Sequence, residues 1–207
     1  MNIPKTDIFK IWGWVGILLY VILVVRMMFL LFAPGPGDGE IILTFGAMMA
    51  FEFILVHSGV SMALAPRKIS LFALFPIYGL FALGLNAAIP GNAILFLYLS
   101  VVLTRMRFAF SKPTREATIA NVGFSIAAVI TYFILVVLFA LSSESLPHFG
   151  ITEAYLDSVN YSSLHDSGGV FIDMPHVPIA MGIIYFTLLA VYEVFIQTRK
   201  PKSPLSS

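Results

Sequence analysis

Three ionisable side chains interrupt otherwise apolar stretches of the sequence: Arg26, Glu52 and His57. An ionisable residue inside a membrane-spanning helix costs at least ~2.5–3.5 kcal/mol, so it marks a functional site by default. At a rise of about 1.5 Å per residue, Arg26 and Glu52 differ in depth by roughly 6 Å, which a long arginine side chain can bridge. We therefore predict an Arg26–Glu52 ion pair, which either fixes the packing of two helices or takes part in proton or ion movement.

His57 follows Glu52 by five positions, which separates them by roughly 140° around a helix. The two side chains therefore line one wide polar cavity or serve different neighbours. A histidine in this position acts either as a hydrogen-bonded packing residue or as a proton relay or metal ligand. The predicted intramembrane polar site consists of Arg26, Glu52 and His57.

A second group of candidate ligands lies in a long polar segment near the C-terminal end. Its members are His148, His165, Asp166, Asp173 and His176. Histidine with carboxylate suits zinc, copper, manganese or iron, although the spacing matches no closed zinc template. Gly168 and Gly169 allow the chain to fold back, and Asp173 and His176 can share one helical face if Pro175 permits it. The group is interpreted as a site for a divalent metal or copper ion, as a pH-sensitive or partner-docking surface, or as a solvated loop.

The composition excludes several classes of protein. Apolar residues make up 59% of the 207 residues and charged residues 11%, whereas a soluble domain carries roughly 25% charged residues. The chain has no cysteine, which removes disulfides and thiolate chemistry. Its net charge of +1 provides no basic field for nucleic acid.

The elements that must position these residues are six apolar stretches, each read as a helix because lipid offers no partner for backbone amides. They cover about 11–33, 41–65, 69–89, 93–110, 118–141 and 178–198. The sequence thus predicts an all-α integral membrane protein with six transmembrane helices. Pro76 should kink the third helix, and the turn 89–92 should join the third and fourth.

If the chain has six spans, its basic and acidic residues fall on opposite sides of the membrane. Eleven of the 12 basic residues fall on the side that holds both chain ends, whereas seven acidic residues and no basic residue fall on the other side. The positive-inside rule then places both termini in the cytoplasm, and we expect the bacterial inner (plasma) membrane. Residues 1–198 form one domain with a long outer loop, 142–177, and 199–207 form a flexible basic tail.

Two further expectations concern polar segments. Glu153–Val159 should form a short amphipathic helix within the outer loop. Glu193, near the inner end of the sixth helix, should pair with Arg105, Arg107 or the tail.

No enzyme motif is present in the sequence, which disfavours a standard enzyme. Three hypotheses remain for a chain with the lipid bilayer as its partner. It is a proton or metal-cation transporter or channel subunit, which at this size would form a homo-oligomer. Alternatively it is a non-catalytic accessory subunit of a larger membrane complex, or a membrane metalloprotein that uses the outer His/Asp group.

Overall fold

The computed structural model describes residues 5–87, 95, 115–165 and 168–198, and these residues form helices joined by turns. Helix α1 covers Lys5–Phe32 and helix α2 covers Gly39–Leu64. A third helical stretch consists of α3 (Arg67–Ile69), a π-helical turn (Ser70–Leu74) and α4 (Phe75–Ala87). Helix α5 covers Arg115–Leu141, the short helices α6 and α7 cover Glu153–Ser158 and Val170–Asp173, and helix α8 covers His176–Thr198.

Within the part of the chain that the structure describes, four helices are long and apolar enough to cross a membrane. Their qualifying stretches are Gly13–Phe32, Gly39–His57, Val122–Leu141 and His176–Thr198. They correspond to the first, second, fifth and sixth predicted spans. The third predicted span, 69–89, contains an apolar helical stretch, Ser70–Gly84, that is shorter than a membrane span. The fourth predicted span, 93–110, and the turn 89–92 lie outside the described residues, except for Leu95.

The third helical stretch widens just before Pro76. Proline lacks the N–H that would bond to the carbonyl four residues earlier, and its ring crowds that carbonyl. A π-helical turn at Ser70–Leu74 places one extra residue in the turn and accommodates this mismatch. The sequence predicts a kink at Pro76, and the feature that the structure shows there is a local widening of the helix.

Helix α8 is the centre of the bundle, because it packs against α1, α2 and α5. Its apolar side chains interlock with those of α1, and the rings of Tyr20 and Phe186 stack with centres 5.8 Å apart. At Gly182 the missing side chain leaves room for two sulfur-bearing side chains. A methyl group there would lie 2.7 Å from Cε of Met27 and 3.0 Å from Sδ of Met49.

The segment between α5 and α8 forms a cap, defined here as residues 142–165 and 168–175. The Gly150 amide donates to the Leu31 carbonyl at 2.8 Å, and the Tyr155 hydroxyl donates to the Gly35 carbonyl at 2.8 Å. These bonds hold the cap against the end of α1 and the turn that follows it. The predicted short helix is confirmed as α6, whose N-cap Thr152 accepts from the Tyr155 amide at 3.2 Å.

Candidate functional site

Glu52 lies in the middle of the bundle and its side chain has no exposed surface. It occupies the central turns of α2, far from both ends of that helix. The Tyr185 hydroxyl, from α8, donates a 2.8 Å hydrogen bond to Oε1 of Glu52. Tyr185 is also fully buried, so a carboxyl–phenol pair joins two helices across an apolar interior.

Tyr132, on α5, packs next to the Glu52–Tyr185 pair. Its hydroxyl donates to the Met49 carbonyl of α2 at 2.7 Å, one turn before Glu52. Its ring meets that of Tyr185 edge-on, with centres 5.6 Å apart, and it lies close enough to Glu52 for electrostatic interaction. Two phenols and one carboxyl therefore form a polar cluster at the junction of α2, α5 and α8, which we call the Glu52 cluster (Glu52, Tyr132 and Tyr185).

The predicted Arg26–Glu52 ion pair is wrong, because Arg26 has a different partner. Its Nη2 lies 2.9 Å from Oδ1 of Asp38, in the turn between α1 and α2. Asp38 also accepts from the Gly35 amide at 2.8 Å, which fixes the carboxylate above the end of α1. The arginine side chain is 43% exposed, so it extends towards the turn that follows α1 instead of bending inward to Glu52.

His57 does not join the Glu52 cluster. Its ring lies against Phe53 and Phe133, with centres 4.8 and 5.6 Å away. Its Nδ1 lies 2.5 Å from the Phe53 carbonyl, one turn earlier in α2. Both phenylalanines are exposed on the surface of the bundle. His57 therefore contacts different residues from Glu52, which is one of the two predicted alternatives.

A second buried carboxyl lies near the far end of α8. Glu193 is 4% exposed, and the Gln197 side-chain amide donates to its Oε1 at 2.9 Å. Both side chains face Gly13 of α1. The partners predicted for Glu193, namely Arg105, Arg107 and the tail, lie outside the described residues.

The four loop residues that the structure describes, His148, His165, Asp173 and His176, do not gather at one metal site. Among the described residues, no three histidine or carboxylate side chains gather as metal ligands. Asp173 accepts from the Gly169 amide at 2.7 Å, and Gly169 has a positive φ of 126°, a backbone conformation that glycine adopts readily. Since α7 ends at Asp173 and α8 begins at His176, the two residues do not share a helical turn. The ring of His165 stands against Tyr161, and Asp166 lies outside the described residues.

Two of the loop histidines do come together. The rings of His148 and His176 have centres 4.2 Å apart and planes inclined by 41°. His176 is 1% exposed, whereas His148 lies on the surface. The pair stands where the cap meets the first turn of α8.

Sequence reasoning selected Glu52 but missed its partner Tyr185. A tyrosine in an apolar helix has no motif around it, and its apolar ring suits a packing role equally well. One signal was available: tyrosines concentrate at the membrane interfaces, whereas Tyr185 lies in the tenth position of the 23-residue helix α8. A phenol placed that far from the helix end needs a hydrogen-bond partner, which the carboxyl of Glu52 supplies.

No protein family model, curated protein or solved structure matches the chain.

Proposed function

We propose that the protein is embedded in a membrane and moves protons across it through the carboxyl of Glu52. The observation that carries the proposal is the fully buried Glu52 carboxyl, hydrogen-bonded to the Tyr185 hydroxyl in the middle of the bundle. Acidic residues within membrane helices are rare because they are costly to bury, and they are typical of proton relays.

The chemistry of the Glu52 cluster favours a proton over a metal cation. A hard metal ion takes six or more oxygen ligands, whereas a proton needs one carboxyl oxygen and a neighbouring hydrogen-bonding group. Tyr185 is such a group, since a phenol can both donate and accept. Its present role is to donate to Oε1 of Glu52, which orients the carboxyl within the bundle.

The surrounding helices supply the rigid frame that a relay needs. Tyr132 ties α5 to the backbone of α2 next to Glu52, and α8 packs against α1, α2 and α5. The second buried carboxyl, Glu193, lies eight residues beyond Tyr185 on α8. Two buried carboxyls at different depths along one bundle are consistent with stepwise transfer between its middle and one end.

The test is proton flux in liposomes that contain the full chain, driven by a pH gradient and followed with an enclosed pH-sensitive dye. Glu52→Gln keeps the volume and can still accept the Tyr185 hydrogen bond, but the amide cannot carry the proton. We expect this variant to fall to the flux of protein-free liposomes while its helix content is unchanged.

The matched control is Glu40→Gln, an exposed position on the same helix, which should keep the wild-type flux. Wild-type flux no higher than that of protein-free liposomes, or equal flux in Glu52→Gln, would contradict the proposal. A complex retained by Glu52→Gln during purification would favour the accessory-subunit hypothesis instead.

A further inference from the structure

His176, the first residue of α8, is a buried histidine whose ring nitrogens lack a hydrogen-bond partner among the described residues. It is 1% exposed. The Ser143 backbone lies beside the ring, but without hydrogen-bond geometry. A positive charge that is buried without an acceptor is costly. The closed cap therefore requires a neutral imidazole at this position.

The ring in contact with His176 belongs to a second histidine, His148. The two ring centres are 4.2 Å apart, and His148 is exposed, so its imidazole can take up a proton from water. A histidine free in water becomes protonated below about pH 6.5. Like charges so close together repel each other, so the contact between the two rings is stable only while at most one of them is charged.

The charged groups on α1 and α2 near the cap do not neutralise a charge at His176. Arg26, on α1, lies 2.9 Å from Asp38 in the turn before α2, so each of these charges already has a partner. Glu40, at the start of α2, is exposed, and its charge is solvated by water. These two helices therefore offer no buried carboxylate to a protonated His176.

The remaining elements around His176 do not supply a counter-charge either. Asp173, at the end of α7, accepts from a backbone amide at 2.7 Å, and Glu144, in the turn after α5, is exposed. The stretch 122–141 of α5 contains no charged residue. The titratable group that acts electrostatically on His176 is His148, so protonation of the pair produces repulsion without compensation.

The turn that carries His148 is held in a strained conformation by its contacts with α1. Phe149 has a φ of 51°, in the left-handed region that residues other than glycine rarely adopt. Its ring meets that of Phe32 edge-on, with centres 5.0 Å apart, and the Gly150 amide donates to the Leu31 carbonyl at 2.8 Å. Such strain persists only where surrounding contacts impose it, and it is common in switch regions. The turn can therefore relax once its contacts weaken.

We propose that the contact between His148 and His176 is an acid-sensitive latch, which holds the turn 148–151 against α1 and α8 while the rings are neutral and releases it when they are protonated. The nitrogens of His176 are sealed from water in the closed cap, so this histidine takes up its proton from water in the released form. The latch is closed above about pH 6.5 and opens as the pH falls. It is independent of the Glu52 cluster and of any proton flux.

The experiment is hydrogen–deuterium exchange of the full chain in lipid nanodiscs at about pH 7.5 and pH 5, followed by mass spectrometry. The reporters are the amides of Gly150 and Ile151, which donate to the Leu31 and His148 carbonyls. Each rate is divided by the intrinsic exchange rate at the same pH. One proton that binds only the released form raises its population about tenfold per pH unit below about 6.5. Protection of the two reporter amides should therefore fall about 30-fold at pH 5, while amides in the middle of α5 keep theirs.

Variants of the histidines assign the effect. His176→Gln, which is uncharged at both pH values, should abolish the loss of protection, and His148→Gln, at an exposed position that tolerates substitution, should reduce it. The matched control His165→Gln removes a cap histidine that stands against Tyr161 instead, and it should retain the full loss.

Three results would overturn the proposal. The first is equal protection of the reporter amides at both pH values in the wild type. The second is an equal loss of protection in the middle of α5, which would show general acid unfolding. The third is a full loss of protection that remains in His148→Gln, or one that disappears in His165→Gln, since either would assign the pH dependence to groups outside the pair.

Discussion

The Tyr185 hydroxyl lies 2.8 Å from Oε1 of Glu52, and both residues are fully buried between α2 and α8. These residues are separated by 133 positions in sequence, so only the packing of the central helix α8 brings them together. Removal of either partner should therefore affect a site that neither helix forms alone.

Tyr185→Phe should reduce proton flux without abolishing it. The substitution removes the hydroxyl that orients the carboxyl, but it leaves the carboxyl itself in place. A typical hydrogen bond contributes about 0.5–1.5 kcal/mol and one to a charged group about 1.5–3 kcal/mol, so a loss of stability of about 0.5–3 kcal/mol should accompany the change. Tyr192→Phe, a half-buried position on the same helix, is the control for both measurements, and a larger effect there would argue against a special role for Tyr185.

The Arg26–Asp38 pair should contribute little to stability. Its arginine is 43% exposed, and exposed ion pairs typically contribute about 0.2–1 kcal/mol. A double-mutant cycle with Arg26→Gln and Asp38→Asn, measured by denaturant unfolding in detergent, should give a coupling in that range that weakens with salt. Proton flux should be unchanged in Arg26→Gln; a complete loss would revive the rejected pairing with Glu52.

Two glycines on packed helix faces should respond differently to alanine. At Gly46 a new methyl group would lie 2.7 Å from the Phe171 carbonyl oxygen, which belongs to the backbone of α7. The backbone must then shift, at a cost of about 1–3 kcal/mol. At Gly182 the nearest atoms are the flexible ends of Met27 and Met49, which can move aside. Thermal unfolding should therefore rank Gly46→Ala well below Gly182→Ala, and the reverse order would contradict the described packing of the cap.

The cap should weaken at high pH through Tyr161. Burial, and secondarily the nearby Asp173 carboxylate, raise the pKa of the Tyr161 hydroxyl, which donates to the Ile172 carbonyl at 3.1 Å. The unfolded tyrosine loses its proton near pH 10, so between that pH and the higher folded pKa the unfolded state binds fewer protons. Stability is full below about pH 10 and falls as the pH rises. Unfolding measured across alkaline pH should show this loss, and Tyr161→Phe should reduce it; an equal loss in the variant would assign it to another group.

The main helices could be predicted from the sequence because a run of about 20 apolar residues is enough to identify a membrane-spanning helix. Four predicted spans are confirmed as helices of sufficient length and hydropathy. Glu52 could also be selected, because a carboxyl is conspicuous among apolar residues. These features are local, so a single sequence contains them.

Partners depend on which helices become neighbours, and here local reasoning was insufficient. The Arg26–Glu52 pairing assumed that α1 and α2 pack together because a short turn joins them. Instead α1 packs most extensively on α8, and Asp38 in the joining turn takes the arginine. The His148–His176 contact likewise depends on how the cap folds back, which the residue types alone do not determine.

Infrared difference spectroscopy of the Glu52 carboxyl during a pH change in reconstituted membranes shows directly whether this carboxyl exchanges a proton. We expect a carboxylic-acid carbonyl band that appears and disappears reversibly with pH, is absent in Glu52→Gln, and shifts in frequency in Tyr185→Phe because the hydrogen bond is lost. The band should persist in Glu40→Gln. A spectrum in which Glu52→Gln removes no pH-dependent carboxyl band would show that Glu52 exchanges no proton, and would contradict the proposed function.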